Sequence, residues 1–113
     1  MKVLLDEDLP HDLRHHISGH DVFTVRYLRW DSLKNGVLLR TAEDASFDVF
    51  VTGDQNLTKQ QNVTGRRLGV VTLTAQRLEV LLRNLPIIQA AVDAATPGSL
   101  QVVPCSDQDE TTA

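Results

Sequence analysis

Acidic side chains follow two short apolar runs of this sequence. Asp6, Glu7 and Asp8 come directly after the first run, and Asp54 follows a later one. Clustered carboxylates repel one another, so a site that keeps several of them ionised usually holds a cation, and oxygen ligands favour Mg²⁺ or Mn²⁺. Such a metal activates water and offsets charge on a phosphate. These four acids are therefore the candidate catalytic residues, with Asp6, Asp8 and Asp54 as candidate metal ligands.

The apolar runs before these acids are typical of buried parallel strands. Strand patterns occupy residues 1–5, 21–25, 48–52 and 68–73, with a further edge strand at 100–103. Helical patterns lie between them, and this alternation predicts an α/β fold with a mainly parallel sheet of four to five strands, covered by helices on both faces. The carboxyl ends of parallel strands meet at one edge of a sheet, so the acids should converge there.

Three helical segments are predicted between the strands. In the first, Pro10 can occupy the first turn and Gly19 should end the helix. Asn35 is the expected N-cap of the second helix, and Pro86 should kink or split the third. The buried face of the first helix is predicted from its four-residue spacing to carry Leu9, Leu13 and Ile17.

Several amide and ammonium groups could line the same crevice and contact a phosphate or a base. The candidate substrate-binding residues are Lys34, Asn35, Asn56, Gln61 and Asn62. Capping and turn formation are the alternative roles for each of them. Trp30 can stack on a base or cover the edge of the core, and the second role is the commoner one.

The acids and histidines also have structural interpretations. Acids after strands can be solvated loop residues or helix caps, and Asp8 can cap the helix that follows. His11, His15, His16 and His20 include a pair one helical turn apart, as zinc ligands often are. No His-Glu-x-x-His pattern accompanies them, so a solvent-facing side of the first helix is the favoured interpretation.

The bulk composition bounds the possible function. The length predicts one domain, residues 1–104, followed by a disordered tail, 105–113. The formal net charge is −4 with dispersed Lys and Arg, which argues against binding duplex nucleic acid by charge alone. A lone cysteine, Cys105, leaves no partner for a disulfide within the chain and favours a cytoplasmic protein. We expect neither a signal peptide nor a membrane span.

Five segments together resemble a known family. They are Met-Lys-Val-Leu-Leu-Asp-Glu-Asp-Leu-Pro (1–10), Gly-His-Asp-Val (19–22), Leu-Lys-Asn-Gly (33–36), Phe-Asp-Val-Phe-Val-Thr-Gly-Asp-Gln-Asn-Leu (47–57) and Gln-Gln-Asn (60–62). In order and spacing they resemble the small bacterial PIN-like domains of the uncharacterised type, which are similar to PIN-domain ribonucleases of the VapC toxin class. The resemblance runs from the first strand to about Gly98.

The resemblance implies a three-layer α/β/α sandwich with a divalent-metal site of acids at strand ends. It further implies hydrolysis of RNA, pairing with an antitoxin-like protein and a homodimer. Asp6 matches the first acid of the family, Asp54 matches the acid after the later strand, and Glu7 belongs to the Asp-Glu opening. Asn56 stands where many relatives carry an acid, and acids common in relatives near Asn35 are missing.

Three functions follow from these patterns. The leading hypothesis is a Mg²⁺- or Mn²⁺-dependent ribonuclease, the toxin of a toxin–antitoxin pair. The second is a catalytically silent interaction domain that binds a partner protein or RNA through the same crevice. The third is phosphoryl chemistry of the receiver type, with Thr72 or Thr74 after the fourth strand, but no lysine is placed to complete such a site.

Overall fold

A sheet of five parallel strands forms the centre of the computed structural model, which describes residues 1–57 and 62–106. The strands are β1 (Lys2–Leu5), β2 (Asp21–Thr24), β3 (Val49–Thr52), β4 (Gly69–Leu73) and β5 (Leu100–Val103). Their order across the sheet is β2-β1-β3-β4-β5, and every neighbouring pair runs parallel. The predicted parallel sheet is confirmed, including its fifth strand at the edge.

Helices cover both faces of the sheet. Successive side chains of a strand point to opposite faces, so Val3 and Leu5 of β1 enter one apolar cluster and Leu4 enters the other. The first cluster includes residues of α2 (Leu78–Arg83) and α3 (Leu85–Asp93), and the second includes residues of α1 (Asn35–Asp44). The fold is therefore the three-layer α/β/α sandwich that was predicted.

The first predicted helix is only a short 3₁₀ helix, His11–His15. Pro10 precedes it with an extended ψ of 130°, and Gly19, with φ +78°, lies in the turn before β2 rather than at the helix end. Leu9, Leu13 and Ile17 are nevertheless buried as predicted. They enter the core from a segment that is largely irregular. Residues 11–16 include three histidines and one aspartate, which are poor helix formers, and this favours a short 3₁₀ helix over a regular α-helix.

The two later helices follow the prediction more closely. Lys34, rather than Asn35, is the N-cap of α1, and no side-chain capping bond forms there. The third helix is split as predicted: Pro86 occupies the first turn of α3, and Asn84 lies between α2 and α3. None of the helices in the described ranges is long and apolar enough to cross a membrane.

The first residues of the predicted tail contact the domain. The backbone N–H of Cys105 donates to Thr74 Oγ1 at 2.8 Å, and Asn84 Nδ2 donates to the carbonyl oxygen of Ser106 at 2.9 Å. The Cys105 thiol is free. Residues 105 and 106 of the predicted tail therefore lie against the domain, and the rest of the tail, 107–113, lies outside the described residues.

Candidate metal centre

The strand order places the ends of β1 and β3 side by side. β2 comes between them in the sequence but lies on the other side of β1, so the direction in which the chain winds reverses between β1 and β3. Ligands of open parallel sheets bind outside the carboxyl ends of the strands at such a reversal. The Asp6 N–H donates to Val51 O at 2.9 Å, which continues the β1–β3 pairing to the acid itself.

A cavity of about 420 Å³ lies at this edge. Its volume falls within the range of roughly 300 to 1,000 Å³ that is usual for ligand sites. All four predicted acids line it, together with two of the predicted substrate-binding residues. The lining residues are Asp6, Glu7, Asp8, Asn35, Gly53, Asp54, Gln55, Asn56 and Gln76.

Thr52 links the acids that follow β1 and β3. Its hydroxyl donates to Asp6 Oδ2 at 2.7 Å and accepts the backbone N–H of Asp54 at 3.0 Å. The other Asp6 oxygen accepts the Glu7 N–H at 2.8 Å. Because Thr52 is completely buried, this hydroxyl holds Asp6 in a fixed position relative to the turn that carries Asp54.

Asp8 is held by groups from two other segments. Its Oδ1 accepts the Gly53 N–H at 3.1 Å, and its Oδ2 lies 3.4 Å from Gln76 Nε2, which also donates to Gly53 O at 3.2 Å. A Cβ on Gly53 would lie 2.7 Å from the Gln76 Cγ, so glycine permits this close approach. The N-cap of the 3₁₀ helix is Pro10, and the helix-cap interpretation of Asp8 is therefore wrong.

Repulsion and burial perturb these carboxyl groups. Burial raises the pKa of Asp6 above its usual range, and the charge of Asp54 adds to that effect, although hydrogen bonds from Thr52 and Glu7 oppose it. Burial likewise raises the pKa of Asp8 to about 6, with further contributions from the charges of Asp6 and Asp54. The carboxyl groups of Asp6, Asp8 and Asp54 therefore interact electrostatically at one edge of the sheet.

Comparisons with protein-family models, with curated proteins and with solved structures found no match.

Replacing Asp8 by asparagine should stabilise the metal-free protein at high pH. The pKa of Asp8 rises from 3.8 to about 6 on folding, so its charge destabilises the fold above pH 6, and this cost disappears as the pH falls toward 4. Discounted for partial exposure, the gain for Asp8→Asn is about 1 kcal/mol at pH 8. Urea unfolding in EDTA at pH 8 and pH 4 measures it.

Asp31→Asn removes the same charge at an exposed position and is the matched control. It should leave the free energy of unfolding within about 0.5 kcal/mol of the parent protein. An Asp8→Asn gain of equal size at both pH values would show that charge burial is not its cause.

Lys34 and Asn62, two other predicted substrate-binding residues, do not line the cavity. Lys34 is exposed at the N-cap of α1. Asn62 is exposed too, and its Oδ1 accepts the Thr64 N–H at 3.1 Å, which is the turn role proposed as the alternative. Gln61 falls outside the described residues. Asn35 and Asn56 are thus the predicted polar residues that the structure brings to the acids.

The histidines have separate partners. His11 Nδ1 lies 2.8 Å from Thr24 Oγ1, and His20 Nε2 lies 2.7 Å from Asp93 Oδ1. Within residues 1–57 and 62–106, no three Asp, Glu, His or Cys side chains are arranged closely enough to hold a metal ion as they stand. This holds for the acid cavity too, where each of the three aspartates accepts hydrogen bonds from protein groups.

The threonines of the phosphoryl-chemistry hypothesis do not reach the acids. Thr74 Oγ1 accepts the Cys105 N–H, and Thr72 is buried with an Oγ1 that has no hydrogen-bond partner among the residues that the structure describes. Neither residue lines the acid cavity. The structure therefore gives this hypothesis no support.

Two residues of the site, Thr52 and Gln76, were not predicted from the sequence. Thr52 is the last residue of β3, and Gln76 follows the end of β4 at the same edge of the sheet. The rule that brought Asp6 and Asp54 together applies equally to polar residues after the fourth strand. Applied to uncharged polar residues as well as to acids, the same rule would have indicated both Thr52 and Gln76.

Proposed function

We propose that this protein is a Mg²⁺- or Mn²⁺-dependent ribonuclease of the PIN-like type. One observation carries the proposal: Asp6, Asp8 and Asp54, from the ends of β1 and β3, line a single cavity at the carboxyl edge of a parallel sheet. The resemblance of the acid-bearing segments to PIN-like domains agrees with this assignment.

The donor atoms suit a hard divalent cation. Carboxylate oxygens are the ligands that Mg²⁺ prefers, and an oxygen that accepts one hydrogen bond keeps a lone pair for a metal. Hydrogen bonds from Thr52, Gly53 and Gln76 hold the Asp6 and Asp8 carboxylates, and these side chains would have to rotate to share one ion with Asp54. When bound, the cation supplies an activated water and offsets charge on the phosphate.

The uncharged side chains of the cavity suit a phosphodiester substrate. Asn35, Asn56 and Gln76 line the same cavity as the acids, and their amide groups can donate hydrogen bonds to phosphate oxygens without competing for the cation. Gln76 also contacts Asp8, so the same side chain positions a carboxylate and meets the substrate. In this proposal a cognate antitoxin-like protein would inhibit the enzyme by covering this cavity.

Isothermal titration of Mg²⁺ and Mn²⁺ into protein stripped with EDTA tests the first step. We expect specific binding that Asp6→Asn and Asp54→Asn each weaken by about 100-fold or more, since even second-sphere partners of a metal are worth about 10- to 100-fold. Binding should also weaken between pH 7 and pH 5, because protons compete for Asp8, whose pKa is about 6. Asp31→Asn is again the control and should bind as the parent protein does.

A metal-independent interaction domain is the second candidate. It is favoured by the lack of a ready three-ligand group in the described ranges and by Asn56 in place of an acid. Equal heats of binding for the parent protein and both variants would contradict the ribonuclease assignment. Absence of binding at millimolar metal, with or without a short RNA, would make the interaction domain the better assignment.

A further inference from the structure

Tyr27 is an exposed aromatic residue on an ordered loop. Its side chain is 69% exposed, yet its backbone N–H donates to Thr24 Oγ1 at 3.0 Å, and the Leu28 N–H donates to Thr24 O at 3.2 Å. The loop continues through Arg29, whose φ of +60° is left-handed. The backbone that carries the ring is therefore held in place before any ligand binds, which lowers the entropy lost on binding.

A small cavity lies beside this ring. It measures about 160 Å³ and is lined by Arg14, Val22, Phe23, Thr24 and Tyr27. The volume is below the range of roughly 300 to 1,000 Å³ for drug-sized ligands, so the cavity fits a single ring system. Phe23 and Tyr27 are 6.4 Å apart between ring centroids, with a tilt of 41°, and they give the cavity aromatic walls.

The surroundings of this cavity are cationic. Burial lowers the pKa of His11, and the nearby charges of Arg14, Arg26 and His15 lower it further, against a smaller opposing effect of Asp12. Arg26 is exposed, and it forms no ion pair with any residue in the described ranges. Arg14 on the cavity wall and Arg26 next to Tyr27 place two cationic side chains here, in a chain whose net charge is −4, so an anionic ligand is favoured.

The cavity lies one strand away from the acids. Thr24 is the register partner of Leu5, the residue before Asp6, and neighbouring strands are about 4.8 Å apart. Trp30, the aromatic residue considered from sequence for stacking, instead packs on Phe47 with ring centroids 5.9 Å apart. Of these two aromatic residues, Tyr27 is therefore the one with an exposed ring.

We propose that Tyr27, with Arg14 and Arg26, binds a base and the adjoining phosphates of single-stranded RNA. Aromatic rings that stack on bases, beside arginines that contact the backbone, are the usual means of binding single strands. The inference rests on the proposed ribonuclease function for its substrate, and it assigns the surface by which that substrate is held.

Fluorescence anisotropy of short labelled oligouridine and oligoadenine RNA, in EDTA and low salt, tests the inference without cleavage. Tyr27→Ala should weaken binding about 5- to 100-fold, and Tyr27→Phe should retain it, because stacking needs only the ring. Arg26→Gln should reduce the slope of log K against log salt by about 0.7, the contribution of one phosphate contact on a single strand. Arg40→Gln, an exposed arginine on α1, should change neither value.

The outcomes separate this inference from the proposed function. RNA binding that is absent, or that is equal in the parent protein and Tyr27→Ala, would overturn the inference even if metal binding succeeds. Loss of RNA binding in Tyr27→Ala while the metal titration fails would support the inference and contradict the metal-dependent chemistry. Tyr27 is exposed, so these variants should keep the parent's unfolding midpoint, which urea unfolding checks.

Discussion

Asp6→Asn and Asp54→Asn should each reduce metal-dependent RNA cleavage by about 1,000-fold, since a metal at a phosphoryl centre is worth several kcal/mol of charge stabilisation. Asn keeps the size of each side chain and removes its charge. Both acids line the cavity at the end of adjacent strands, so either loss should disable the shared site. Initial cleavage rates of a fluorogenic RNA at saturating Mg²⁺ or Mn²⁺ measure the effect.

Two controls separate the enzyme from contaminating nuclease. Asp31→Asn, purified in the same way, should cleave at the parental rate, and EDTA should stop cleavage until Mg²⁺ or Mn²⁺ is restored. Equal rates in the parent protein and both site variants, or cleavage that survives EDTA, would assign the activity to a contaminant and leave the interaction domain as the better proposal.

Removing the hydroxyl from two neighbouring threonines should change stability in opposite directions. Thr52 and Thr72 are register partners on β3 and β4, and both are buried. Thr52→Val removes the hydroxyl that donates to Asp6 and accepts from the Asp54 N–H. It should destabilise the protein by about 2 kcal/mol, because it leaves these polar groups unpaired. Thr72→Val removes an unpaired hydroxyl and should stabilise it by about 1 kcal/mol.

Urea unfolding of both variants in EDTA at pH 7 measures these changes. Thr52→Ser keeps the hydroxyl and serves as the matched control, and it should lose less stability than Thr52→Val. Metal titration adds a second readout, because Thr52→Val should also weaken Mg²⁺ binding about 10- to 100-fold through the misplaced Asp6 carboxylate. Destabilisation of equal size in Thr52→Val and Thr72→Val would show that the hydrogen bonds of the Thr52 hydroxyl do not determine the change in the free energy of unfolding.

The sheet and the convergence of the acids could be predicted from sequence because each depends on a strong local pattern. The aliphatic runs specify buried parallel strands, and a parallel sheet requires Asp6 and Asp54 to lie at one edge. The 3₁₀ helix could not be predicted in the same way. The four-residue spacing of Leu9, Leu13 and Ile17 identifies the buried side chains. A short 3₁₀ helix and a full α-helix can bury the same side chains, so the spacing does not distinguish them.

The contacts that hold the aspartates in place could not be predicted from the sequence, for a different reason. Thr52 meets Asp6 only because of the register between β1 and β3, and Gln76 meets Asp8 only because two loops approach each other. Neither relation leaves a periodic pattern in the chain. The exposure of Tyr27 and the packing of the partly buried Trp30 on Phe47 likewise depend on the path of one irregular loop.

The all-parallel sheet also bears on how quickly this chain reaches its native state. No two paired strands are joined by a hairpin, so each pairing must close a long loop before its contacts form. Asp6 and Thr52 alone are separated by 46 positions. Chains dominated by such distant pairings fold on a scale of about milliseconds to seconds, slower than helical bundles of similar size. The gathered carboxylates therefore come together only late, once the central strands have found each other.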